Sequence, residues 1–161
     1  MKIKFSKHSG IYSLYTEQLL NTNLDDAWDF FSSPKNLSKI TPKEMSFKIT
    51  SFDESKMFAG QIITYKVGIL PLIKLNWVTE ITQVVDKKHF VDEQRFGPYK
   101  MWHHEHHFKM TEKGLLAIDK VSYKLPFSWI ANLFHNVFIK PKLKGIFEYR
   151  TKVLEEKFFP R

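Results

Sequence analysis

From about residue 45 to residue 125, apolar side chains recur at every second position; from 127 to 158 they recur at every third and fourth. The first period belongs to strands and the second to a helix. Phe47 and Ile49 share one side of a strand, and Ile63, Tyr65 and Val67 do so after Gly60. Leu75, Trp77, Thr79 and Ile81 follow in the same way. FVDEQRF (90–96), the Gly97-Pro98 pair and KMWHHEHHFKM (100–110) read as two strands around a turn. LLAIDKVSYKL (115–125), entered through Lys113-Gly114, is another, and Pro126 ends the series. About six strands joined by short turns predict an antiparallel sheet.

Before this run, IYSLYTEQLL (11–20) predicts a strand, with its inward side undecided. Asn23 then caps a short helix, with Asp25 and Asp26 in its first turn and Leu24, Ala27, Trp28 and Phe31 at helical spacing. Pro34 stops that helix and starts a second, capped by Ser33, which Thr41-Pro42 closes. In the tail, Trp129, Ile130, Leu133, Phe134, Val137 and Phe138 set a helical stripe that Ile146, Phe147, Val153 and Leu154 continue. Pro141 predicts a kink or break within it. The order is strand, two short helices, about six strands and one long C-terminal helix. A sheet with its helices on one face is an α+β architecture, and a bulky but incomplete lining leaves a space between them. Residues 1–161 show no repeat, linker or low-complexity tract and are expected to form one domain.

Composition narrows the chemistry. The chain has no cysteine, which excludes disulfides, thiolate metal sites and a thiol nucleophile. Its 15 Phe, 6 Tyr and 4 Trp are enough to fill a core and line a cavity as well. The net charge of +8 is weighted to the tail, where Lys140, Lys142, Lys144, Arg150 and Lys152 face only Glu148. A solvated helix face is the expected role of these residues, and no nucleic-acid-binding module accompanies them. MKIKFSK leads into no apolar run, and no stretch of about 18 apolar residues occurs. A soluble, cytoplasmic protein is expected. SWIANLFHNVFIK (128–140), followed by lysines, suits weak contact with an anionic membrane surface, although a helix packed on the sheet is the preferred reading.

Four of the seven histidines fall in MWHHEHHF (101–108). A helical zinc-protease motif needs glutamate directly after the first of two histidines four apart. Here Glu105 stands two after His103, so the motif fails. On a strand, Met101, His103, Glu105 and His107 point one way and Trp102, His104, His106 and Phe108 the other. The second set is aromatic at both ends and is the expected inward side. His104 and His106 then lie about 7 Å apart along the strand and need polar partners, because a bare imidazole is costly in a dry core. Asp92 and Gln94, on the side of Phe90 and Phe96, are candidates; so is Asp119, on the side of Ala117, Val121 and Tyr123. Three roles stay open for this set: a buried polar network, a polar end for a bound molecule, or acid–base or divalent-metal chemistry.

NLSKITP (36–42), FVDEQRFGPYKMWHHEHHF (90–108) and DKVSYKLPF (119–127) resemble the START/Bet v 1-like superfamily, and more closely its bacterial SRPBCC ligand-binding proteins. That superfamily includes polyketide cyclases, lipid-transfer domains and pollen allergens. With the tail helix, the resemblance covers nearly the whole chain. It implies a helix-grip fold, in which a curved antiparallel sheet of about seven strands wraps around a long C-terminal helix. The two short helices would close one end of the cavity between them. It implies binding of a hydrophobic or amphipathic small molecule without implying one reaction.

The expected function is therefore non-catalytic binding, as a carrier or sensor. The site is expected to include Tyr65, Trp77, Asp92, Gln94, Trp102, His104, His106, Phe108, Asp119, Tyr123 and Phe134. For Tyr65 and Trp77, ordinary core packing is an equal reading. No cofactor or resident metal is expected. The alternatives are a cyclase- or dehydratase-type enzyme using His104 or His106 with Asp119, and a lipid-binding module at a membrane surface.

Overall fold

Eight strands pair antiparallel into one curved sheet, in the order β1-β2-β8-β7-β6-β5-β4-β3. They are β1 (Lys2–His8), β2 (Ile11–Leu20), β3 (Lys48–Phe52), β4 (Ile62–Leu70), β5 (Ile73–Val85), β6 (His89–Phe96), β7 (Met101–Thr111) and β8 (Gly114–Lys124). The structure, a computed structural model, describes residues 2–52, 56–70, 73–126 and 131–159. Trp129, Ile130 and Phe127 lie outside the described residues, as does the expected helix start at 127–130. Register shifts at Ile49/Ser51, Gly68/Leu70, Val78/Thr79 and Ile81/Gln83 mark bulges in β3, β4, β6 and β5, in that order. Such bulges add twist and bend, which suits a sheet that curls around a helix.

Between β2 and β3, α1 (Leu24–Phe31) begins at Asn23, whose side chain accepts from the Asp26 amide at 2.8 Å. A cap of this kind is worth about 1 kcal/mol. The second short helix, Pro34–Ile40, is a 3-10 helix, and Lys43–Met45 adds another turn of that type. The tail runs from α2 (Ala131–Phe134) through a π-helical turn (His135–Ile139) into α3 (Lys140–Phe158). Pro141 stands in the first turn of α3. It cannot donate to the carbonyl of Val137, and the irregularity it imposes is the widened turn before it, with no break in the helix.

Two expectations need correction. The first strand, β1, was not expected, and the sheet has eight strands where the resemblance implied about seven. KIKFSKH is an edge strand whose side chains are exposed or half-buried, so it carries little apolar signal. Its hairpin turn is legible: Ser9 and Gly10 both have positive φ, at 49° and 79°, as a tight two-residue turn requires. The second correction concerns the tail. Leu133, Phe134, Val137 and Phe138 are exposed, whereas the buried stripe is His135, Ile139, Leu143, Phe147, Arg150, Leu154 and Phe158. The wide π turn keeps His135, Ile139 and Leu143 on one face at steps of four. His135 is held there by the Tyr123 hydroxyl, 2.7 Å away, and by stacking on Tyr12.

Two buried clusters form the core. One gathers Trp28, Phe30, Phe90, Phe108, Leu154 and Phe158, the other Tyr12, Leu14, Val121, Tyr123, Leu143 and Phe147. A band of buried polar side chains lies between them: Thr16 and Gln18 on β2, His104 and His106 on β7, and Arg150 and Thr151 on α3.

Two glycines test this frame. Gly114 has φ of +124°, and an added Cβ would meet the Leu20 carbonyl oxygen at 2.6 Å. Gly145 is exposed in α3 with nothing within 4 Å of an added Cβ. In urea unfolding, Gly114→Ala is expected to lose about 1–3 kcal/mol. Gly145→Ala is expected to gain up to about 1 kcal/mol.

Candidate functional site

Alternation along β7 divides its histidines. Outward, His103 and His107 are half-buried and paired with carboxylates: His103 Nδ1 with Glu93 at 2.8 Å and His107 Nε2 with Glu105 at 2.6 Å. Inward, Trp102, His104, His106 and Phe108 follow one another, and both imidazoles are 7% exposed. The sheet register supplies their partners. Asp92 on β6 stands opposite His104, and Asp119 on β8 stands opposite His106. Across from them, α3 delivers Arg150.

The imidazole rings lie side by side, with centroids 3.8 Å apart. His104 Nε2 is 2.9 Å from Asp119 Oδ1, and His106 Nε2 is 2.8 Å from Asp92 Oδ2. His106 Nδ1 comes within 3.0 Å of the same Asp119 oxygen without hydrogen-bond alignment. His104 Nδ1 lies 3.6 Å from Asp92 Oδ2. Arg150 Nη1 is 3.3 Å from Asp119 Oδ1, and the Thr16 hydroxyl donates to Asp119 Oδ2 at 3.4 Å. Phe90 stacks on His106 at 4.1 Å, and the Arg150 guanidinium sits over the rings of Phe31 and Phe147.

Burial and charge act in opposite directions here. Burial raises the Asp119 carboxyl, but Arg150 and the two imidazoles outweigh it and hold Asp119 well below the usual range. Asp92 is also raised by burial, then lowered on balance by His104, His106 and Arg150. Burial and the neighbouring His106 push His104 down. Burial pulls His106 down too, but its contacts with Asp119 and Asp92 prevail and hold it above the ordinary histidine value.

A hollow of about 500 Å³ opens in front of this group. Its sheet wall includes Ile63, Tyr65, Val67, Trp77, Thr79 and Ile81. Phe30, Phe31 and Leu37 come from the short helices, and Leu143, Ile146 and Phe147 from α3. The polar residues on its wall include Asp92, His104, His106, Arg150 and Lys142. Burial lowers the Lys142 ammonium, which donates to the Gly68 carbonyl at 3.3 Å. Thr79 Oγ1 accepts from Trp77 Nε1 at 3.1 Å and pairs with the Tyr65 hydroxyl at 2.9 Å.

Of the residues singled out in the sequence, Tyr65, Trp77, Asp92, Trp102, His104, His106 and Phe134 line this hollow. Asp119 sits behind the histidines and holds them from the rear. Phe108 packs among Trp28, Phe31 and Phe90, and Tyr123 is fully buried against His135. Gln94 donates to the Tyr99 carbonyl at 2.6 Å and accepts from its amide at 3.1 Å. Phe96, expected on the inward side, is 64% exposed at the strand end. Arg150 was missed, having been read with the basic tail. A signal existed: it falls between Phe147 and Leu154 at steps of three and four, in the middle of the apolar stripe.

No protein-family model matches the sequence, and no curated protein matches it. Solved structures do match. Protein Ms6760 from Mycobacterium smegmatis superposes with a TM-score of 0.68 at 14% identity, covering 98% of each chain. Ara h 8.0201 matches with a TM-score of 0.60 at 13% identity, over 90% of this chain and 98% of that one. The di-domain ARO/CYC StfQ from the steffimycin biosynthetic pathway matches over 91% of this chain and 52% of its own, with a TM-score of 0.64 at 9% identity. At these identities the likeness establishes a shared fold.

The buried group and the outer pairs are expected to differ in energetic weight. Asp119→Asn leaves Arg150 without its carboxylate and is expected to cost about 3–5 kcal/mol in urea unfolding. Glu105→Gln removes a partner from half-exposed pairs and is expected to cost less than about 1 kcal/mol.

Proposed function

We propose that this chain, whose fold is the START/Bet v 1-like helix grip, binds one hydrophobic or amphipathic small molecule in the hollow under α3. The observation that carries this reading is the contrast on the hollow's wall. Aromatic and aliphatic side chains make up most of it, and Asp92, His104, His106 and Arg150 converge at one place. Small-molecule sites are built this way, in volumes of about 300–1,000 Å³. Burial of the apolar body supplies affinity, at about 25 cal/mol per Å². The polar group fixes which end enters first.

The same division assigns roles to residues. Val67, Trp77 and Ile81 contact the apolar body, while His104, His106 and Arg150 meet acceptor or acidic groups at its head. Asp119 positions the imidazoles without touching the ligand. A carrier or sensor needs no more than this, and no covalent step is required of any residue.

Native mass spectrometry and displacement of the amphiphilic dye 1-anilinonaphthalene-8-sulfonate test the reading. One dye molecule per chain is expected, displaced by medium-chain carboxylic acids. Val67→Trp fills part of the hollow and is expected to weaken dye binding at least about tenfold while the protein still unfolds cooperatively. An unligated wild-type protein that takes up neither dye nor acid contradicts the reading, and so does undiminished binding by a folded Val67→Trp variant.

A further inference from the structure

The four groups around His104 and His106 are arranged from front to back. Asp92 Oδ2 faces one nitrogen of each ring, His106 Nε2 at 2.8 Å and His104 Nδ1 at 3.6 Å. Asp119 Oδ1 faces the other nitrogen of each ring, His104 Nε2 at 2.9 Å and His106 Nδ1 at 3.0 Å. Asp92 and both histidines line the hollow and Asp119 does not. One carboxylate thus stands at the front with two ring nitrogens, and a second backs both rings from behind.

We infer that Asp92, His104 and His106 form a site for one divalent transition-metal ion at the floor of the hollow, with Asp119 as its supporting carboxylate. Two imidazoles and one carboxylate are a donor set for first-row dications such as zinc or iron(II), with remaining positions open to water or ligand. The three donor atoms lie within 4.8 Å of one another. Bonds of about 2.1 Å to a shared ion require separations of about 3.0–3.4 Å. The Asp92–His106 pair at 2.8 Å opens slightly, the Asp92–His104 pair at 3.6 Å closes by a few tenths of an ångström, and the two imidazole nitrogens, within 4.8 Å of each other, draw together. The ion takes the place of a proton on His106 Nε2: an imidazolium releases that proton to solvent, and the neutral ring left behind keeps its one proton on Nδ1, toward Asp119.

The rear carboxylate is the second observation. Ligating histidines characteristically donate their other N–H to a carboxylate, which fixes ring and tautomer. Here one oxygen does this for His104 Nε2 and lies 3.0 Å from His106 Nδ1, where a small rotation of the ring would bring the second bond into line. Arg150 is the cation packed against the group, and at 3.3 Å it is paired with Asp119. With both imidazoles neutral, Asp92, Asp119 and Arg150 sum to one negative charge, which favours a dication. The ion would lie where the head of the proposed ligand is placed, with its open positions toward that head, and zinc binding by the ligand-free chain tests it separately from the binding of an organic molecule.

The test uses the full chain without an affinity tag, stripped with a chelator and titrated with zinc and with cobalt(II). One ion per chain is expected, with visible cobalt bands. In imidazole NMR of the wild-type protein, zinc should shift His104 and His106 and leave His103 and His107 in place. Asp92→Asn, close in shape, is expected to weaken zinc binding at least about tenfold, and Asp119→Asn about 10–100-fold. A His103→Ala/His107→Ala variant should bind as the wild type does. Absence of stoichiometric binding by the wild-type protein overturns the inference, as do shifts confined to His103 and His107 or loss of binding in their double variant.

Discussion

The carboxylate of Asp119 is the point on which the interior depends. It is bonded by His104, contacted by His106, paired with Arg150 and reached by Thr16. Those partners come from β7, α3 and β2, while Asp119 itself belongs to β8. A single buried charge therefore ties the helix to three neighbouring strands, β2, β8 and β7. Removing a charge of this kind strands its partners, which makes the arrangement costly to disturb even where its net contribution to stability is small.

The polar band also explains why the interior is not one continuous apolar core. Phe90, Phe108, Leu154 and Phe158 pack on one side of it, and Val121, Tyr123, Leu143 and Phe147 on the other. Toward β4 and β5, whose pairings shift register, the space in front of His104 and His106 opens into the hollow. The groups that order the helix thus also face the space where a ligand's head would lie. The residues that order the helix are those the proposed ligand's head would meet, so under that proposal a change at Asp119 acts on the fold and on binding together.

Much of this was legible in the sequence. Period-two alternation placed six strands and separated His104 and His106 from His103 and His107, because successive side chains on a strand must face opposite ways. It also put Asp119 and Asp92 on the right faces. What it could not supply was register. That Asp119 stands opposite His106 and Asp92 opposite His104 follows from the lengths of the turns that join β6, β7 and β8, whose pairings run without a shift. Arg150 escaped notice because charge was weighed before position, although its place in the helical stripe was apolar. The exposed Leu133, Phe134, Val137 and Phe138 misled for the reverse reason: the π turn before Pro141 alters the helical phase, and the proline marks an irregularity without saying that the helix widens rather than kinks.

The central claim is that an amphipathic molecule lies in the hollow with its head toward the β7 histidines. Intermolecular nuclear Overhauser effects from an isotope-labelled medium-chain fatty acid measure this most directly. The account predicts contacts from the chain methylenes to Val67, Trp77 and Ile81, with the carbon next to the carboxyl group closest to His104 and His106. Contacts confined to Leu133 and Phe138 on the outer surface, or a reversed orientation with the methyl end at the histidines, would contradict it.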